Sequence, residues 1–203
     1  MVNFVIVLEC LGICLTFVAL ILLLNGEGAR EQKLLIFIMC GSLVQNVGYL
    51  LELTAPTMEA AVAAVTVENV GSAFVPLCYC WFIYIYCYAS PPKKLLRTLA
   101  AINFLVLPTV FFNWNGLFYR EFEWLSTADG FHYISISYGP LYVLFMFTRI
   151  IIPYVLCFAT LVRAIRLRSD HEVSRQYQTI LVISTLPVIM LVAYVFKLSN
   201  VFD

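Results

Sequence analysis

Charge is what this chain has least of. Twelve acidic and twelve basic residues stand among 203, and they cancel. So few charges cannot cover the surface of a soluble domain this size, which excludes a water-exposed globule. Zero net charge leaves nothing to attract nucleic acid or an acidic substrate. Histidine is scarcer still, with His132 and His171 too far apart to cooperate. No His-Glu-x-x-His, Gly-x-Ser-x-Gly or phosphate loop occurs, which excludes the zinc peptidase, serine hydrolase and nucleotide-binding chemistries those motifs carry. No lysine falls in the middle of an apolar run, so a retinal Schiff base has no support. The seven cysteines are an odd number set in apolar runs, which is no disulfide framework. Cys10 and Cys14 share a helix face but have no histidine with them, so neither a metal nor another cofactor is expected. The N-terminus lacks the basic region and small-x-small site of a cleaved signal peptide, so its first run reads as a retained helix.

What the chain has is apolar length. Hydrophobic residues make up 63% of it, and the mean hydropathy is +0.93. Runs of about 20 residues suit the hydrocarbon core. They predict spans at 4–24, 34–54, 58–89, 95–112, 141–161 and 177–198. The expected fold is an all-α integral membrane bundle, a single domain over 1–203 embedded in the lipid bilayer. Thr57 is placed to cap the third span, with Glu59 in its first turn. Pro76, Pro153 and Pro187 fall inside spans, where freed carbonyls need partners.

Lysine and arginine set the orientation. Arg30 and Lys33, then Lys93, Lys94 and Arg97, then Arg163, Arg166, Arg168 and Arg175 mark the odd loops as cytoplasmic. The N-terminus is then outside, and six spans return Asp203 to the outside. The chain is expected to be a fragment, with at least a seventh span beyond it.

The fourth loop is the one sizeable stretch outside the spans. Period-two patterning on both sides of Ala128-Asp129-Gly130 predicts an extracellular β-hairpin between spans four and five. Its aromatics, among them Trp124 and Phe131, either rest at the lipid headgroups or form a lid over the bundle mouth.

Polar residues inside the spans are ordered. Gln45, Gly48, Tyr49 and Glu52 make one helical stripe, and Glu68, Gly71, Ser72 and Pro76 make another. Glycines in such stripes allow close backbone approach, so the two helices are expected to pack antiparallel through these faces. Arg149 shares a stripe with Tyr142, Phe145, Met146 and Pro153, and Glu9 shares one with Gly12 and Thr16. At 1.5 Å per residue, Glu68 and Arg149 come to similar depths, about 15 and 13 Å. Opposite charges at one depth predict a Glu68–Arg149 pair, because an unpaired buried charge is costly. The candidate ligand-binding set is Gln45, Tyr49, Glu52, Glu68, Ser72, Tyr142 and Arg149. A purely structural seam accounts for the same stripes, and the residues alone leave both readings open.

The chain also resembles the N-terminal seven-transmembrane region of bacterial histidine kinases, a module that also precedes some diguanylate cyclases. The resemblance rests on Gly48-Tyr49-Leu50-Leu51-Glu52, Thr57-Met58-Glu59-Ala60-Ala61, and Glu68-Asn69-Val70-Gly71 with Pro76. Asn115-Gly116-Leu117-Phe118-Tyr119, Tyr138-Gly139-Pro140, Arg175-Gln176 and Phe202-Asp203 extend it over nearly the whole chain. It implies a receptor-like sensor that passes an external small ligand or membrane signal to a cytoplasmic output domain, in a form that allows a homodimer. It implies no enzyme activity in these residues themselves. The family often carries a histidine ahead of the Leu-Phe-aromatic triplet, and Asn115 and Gly116 stand there instead. The rival reading is a small secondary transporter that couples through intramembrane Glu and Arg, and a third is a structural or assembly subunit.

Overall fold

Runs of leucine, valine, isoleucine and phenylalanine punctuated by Gly, Pro and charge become helices throughout. The computed structural model describes residues 2–26, 28, 30–126, 132–167 and 171–195. In order come α1 (Val2–Leu24), α2 (Arg30–Leu53), α3 (Met58–Ser72), α4 (Val75–Tyr86) and α5 (Lys93–Phe112). Strands β1 (Tyr119–Ser126) and β2 (His132–Tyr138) follow, then α6 (Pro140–Met146), α7 (Ile152–Leu167) and α8 (His171–Val195). Among the described residues, five stretches are long and apolar enough to cross a membrane: Phe4–Leu24, Glu31–Leu53, Met58–Tyr86, Lys93–Phe112 and Pro140–Leu167. The sixth expected span runs through α8, and its last residues lie outside the described residues. Phe4, Leu8, Leu11 and Leu15 on α1 and Phe104 and Leu105 on α5 are exposed, an outer surface suited to hydrocarbon rather than water.

Two spans are not the continuous helices that the sequence predicts. The third is broken into α3 and α4 at Ala73-Phe74. Pro76 is the cause: it has no N–H for the Ser72 carbonyl four residues back, and it stands in the first turn of the new helix. The expected stripe from Glu68 to Pro76 is therefore interrupted after Ser72. The fifth span joins α6 to α7 through a π-helical turn, Phe147–Ile151. There Pro153 withholds the N–H that would meet the Arg149 carbonyl, and a widened turn absorbs the mismatch. Thr57 caps α3 as its sequence predicts, with its hydroxyl accepting from the Ala60 N–H at 3.3 Å.

Helices α2 and α3 pack antiparallel at backbone distance. A Cβ on Gly48 would stand 2.6 Å from the Glu68 nitrogen, and one on Gly71 would stand 2.5 Å from the Gln45 nitrogen. Gly41, on the same face of α2, meets the Gly71 carbonyl and extends the seam.

The hairpin forms. Phe122 pairs with Ile136 and Trp124 with Ile134, with an irregularity between Tyr119 and Glu121. That irregularity turns Tyr119 to the same side as Phe122 and Trp124, and this face packs on Ala61, Val65, Val106, Val110 and Phe145. Asn113 ties the hairpin to the end of α5: its Oδ1 accepts from Tyr119 N–H at 2.9 Å and its Nδ2 donates to Tyr119 O at 2.8 Å. Phe118 and Tyr119 are fully buried, so these two aromatics belong to the core and do not rest at headgroups. Trp124 stacks on His132, with ring centroids 5.6 Å apart. The Ala128-Asp129-Gly130 turn and Phe131 lie outside the described residues.

Candidate functional site

Arg149 is a charged side chain buried within the bundle, with 9% of its surface exposed. The π-helical turn carries it, and α6 places Phe145 one turn earlier, with its ring 4.8 Å from the guanidinium carbon. A cation over a ring face gains about 0.5–2 kcal/mol, more when desolvated.

The expected partner, Glu68, is not the one it takes. No hydrogen bond or ion pair joins their side chains among the described residues. Nη1 donates to Asn69 Oδ1 at 3.2 Å and to Ser72 Oγ at 2.9 Å. The reason is the close α2–α3 approach: the backbone of Glu68 lies against Gly48, and Asn69 and Ser72 are the α3 residues left to meet the guanidinium. Glu68 contributes its carbonyl instead, which accepts from the Ser72 hydroxyl at 2.9 Å.

Asn69 links the site to the hairpin. Its Nδ2 donates to the Tyr119 hydroxyl at 2.9 Å and to the Val65 carbonyl at 3.0 Å, while its Oδ1 serves Arg149. Every polar atom of this amide is engaged, which is what a buried amide requires. Burial pushes the Tyr119 phenol above its ordinary range, and the Asn69 bond offsets part of that.

A second amide closes the network below. Asn103 of α5 donates to the carbonyl of Ala73 at 3.3 Å, at the α3–α4 break. Its Oδ1 accepts from Thr148 at 2.7 Å, beside Arg149 on the π-helical turn. The two irregular points of the bundle are thus bridged by one side chain.

Of the expected ligand set, Ser72 and Arg149 are in direct contact. Tyr142 stacks on Tyr138 at 3.6 Å, and its ring meets Phe118 edge-on at 5.5 Å. Gln45, Tyr49 and Glu52 stand on α2 and make no hydrogen bond to Arg149 among the described residues. Tyr49 lies within electrostatic reach of Glu9, Glu52 and Glu68, and Glu68 on α3 is in turn within electrostatic reach of Arg149, though not in contact with it. Sequence reading passed over Asn69, Asn103, Tyr119 and Thr148 as members of a site. The signal for Asn103 was present: an amide alone in an apolar run must find a partner.

The arrangement has no nucleophile beside a base, and among the described residues no cluster of metal ligands. It can hold a charge in place and register a change in the hairpin. No curated protein matches the chain. The family model described as the N-terminal 7TM region of histidine kinase matches residues 6–203. With five membrane-length helices and a match over nearly its full length, this chain belongs to that family, the multi-pass membrane sensor regions of histidine kinases.

Proposed function

We propose that this chain is a receptor-like input region in which a small ligand or membrane signal, acting at the hairpin end, is passed to a cytoplasmic output domain. One observation carries the reading. A continuous set of hydrogen bonds runs from Tyr119 of the hairpin through Asn69 and Arg149 to Ser72, beside the break in the third span. Displacing the hairpin changes the partners of a buried charge, and that charge holds α3 just above the break.

The lower half of the span reaches the other end. Tyr79 of α4 shares a 2.5 Å hydrogen bond with Ser184 of α8, and Tyr86 donates to Gln176 at 3.2 Å. The basic residues Lys93, Lys94, Arg163 and Arg166 stand at the end away from the hairpin. The positive-inside rule supports an external hairpin and an external N-terminus, and helical spans, as opposed to a β-barrel, suit the cell's inner or plasma membrane. A sixth span through α8 fits the multi-pass layout that the family description names.

Tyr119→Phe and Asn69→Ala, made in the region joined to its output domain, test this. Kinase output should lose its response to signal while membrane insertion stays normal. Normal signalling by both variants would refute the path. Solute flux in proteoliposomes that depends on Arg149 would replace the reading with transport.

A further inference from the structure

We infer that the signal enters through the lipid: Phe112 and Trp114 form an aromatic foot in the outer headgroup interface and pass its state to the hairpin. The inference rests on the sensor reading for there being a signal, and it names the medium that carries it.

The level of the foot follows from α5. Lys93, Lys94 and Arg97 stand in its first two turns, and Phe112 ends it 20 residues from its start. Such a helix rises about 30 Å, the thickness of the hydrocarbon core. With the basic end inside, Phe112 and Trp114 reach the opposite interface, the level where tryptophan collects. Phe104, Leu105 and Phe111 are exposed on the same helix, so a lipid-facing surface leads up to the pair. Phe112 is 67% exposed and Trp114 55%, and neither joins the cluster packed under the hairpin. Their rings stack on each other, with centroids 5.5 Å apart and planes 10° from parallel.

The backbone bends to hold these rings out. Asn113 and Asn115 are left-handed, with φ of 38° and 51°, and Gly116 follows at 69°. Asparagine tolerates that conformation better than most residues, and its surroundings must still hold it there. Asn113, between the two rings, bonds both backbone groups of Tyr119. The Leu117 carbonyl accepts from Leu141 N–H at 3.0 Å, at the start of α6. The Gly116 and Leu117 carbonyls press on Gly139, where no Cβ would fit. The foot is therefore joined to the hairpin and to the span that carries Arg149. A shift of the rings with the lipid moves Tyr119, the first member of the path to Arg149. Beneath the hairpin, Phe118, Tyr119 and Phe145 are fully buried, so side chains fill that space. This favours a signal borne by the lipid over a molecule seated under the hairpin.

Quenching by brominated lipids in liposomes of the whole chain provides the first test. The fluorescence that Trp114→Phe removes belongs to Trp114, since Trp81 and Trp124 stay in place. Bromine near the glycerol should quench it at least about twofold more than bromine at mid-chain, as an interfacial ring requires. Quenching by neither lipid, or stronger quenching at mid-chain, would overturn the proposal. The second test joins the chain to its output domain in short-chain and long-chain phosphatidylcholine, which shifts the interface against the protein. Kinase output should differ at least about twofold between the two lipids. The double variant Phe112→Ser, Trp114→Ser, which leaves the buried core untouched, should lose most of that difference. An undiminished lipid response in the double variant would overturn the proposal. Output that ignores the lipid yet answers a water-soluble compound would overturn it while leaving the sensor reading standing. Output that answers neither would overturn both.

Discussion

Ser72 stands between Arg149 and Glu68: its hydroxyl accepts from the guanidinium at 2.9 Å and donates to the Glu68 carbonyl at 2.9 Å. A serine thus does what a carboxylate was expected to do, and it ties the charge to the backbone of α3.

This arrangement makes a double-mutant cycle informative. Ser72→Ala should cost about 1.5–3 kcal/mol, the usual size for a hydrogen bond to a charged group. Coupling between Ser72→Ala and Arg149→Met, read from thermal unfolding in detergent, should exceed about 1 kcal/mol. Coupling between Glu68→Gln and Arg149→Met should be smaller than that, because the two charges act on each other through space without a direct contact. A larger Glu68 term would restore the ion pair.

The α2–α3 seam predicts a graded response to one methyl group. Gly48→Ala and Gly71→Ala push a Cβ into backbone rather than into a flexible side chain, and each should cost about 1–3 kcal/mol. Gly12 has nothing within 4 Å of its would-be Cβ, so Gly12→Ala should be neutral or slightly stabilising. Equal Tm values for the three variants would argue against the close approach.

Tyr119 predicts an alkaline limit. Its folded-state pKa is raised by burial, so the proton is held more tightly in the fold than in the unfolded chain. The associated stability is fully present below the ordinary phenol pKa of about 10 and is lost as pH rises beyond it. Wild-type protein should lose Tm above that pH more steeply than Tyr119→Phe. Parallel curves would mean that the phenol is not buried.

Orientation is checked by labelling. Ser126→Cys and Ser90→Cys, each in a background without native cysteines, place exposed thiols at opposite ends of the bundle. An impermeant reagent should label the first in intact cells and the second only after lysis. The reverse pattern would invert the topology.

Much of this molecule was legible in the chain. Period-3.6 stripes of glycine and polar residues fixed the α2–α3 packing, because a missing Cβ is visible in the letters. The strand alternation fixed the hairpin. Which side chain meets Arg149 was not legible. Glu68, Asn69 and Ser72 share a turn or two of one helix, and a small rotation decides among them. Charge rules favour Glu68, and the backbone contact at Gly48 decides otherwise. The two interruptions were half visible: Pro76 and Pro153 marked their places, but the response to each proline depends on neighbours such as Asn103 and Thr148, which are far away in sequence.

The cut in the third span has a mechanical consequence. A single rigid rod carries a push along its own axis from one face of the bilayer to the other. This rod is severed near its middle, its upper piece pinned sideways to Arg149 and its lower piece to Ser184 of α8. An axial thrust is dissipated at Ala73-Phe74, whereas a sideways swing of the upper piece pulls on the joint that Asn103 holds. The element is built as a lever with a pivot, and not as a piston.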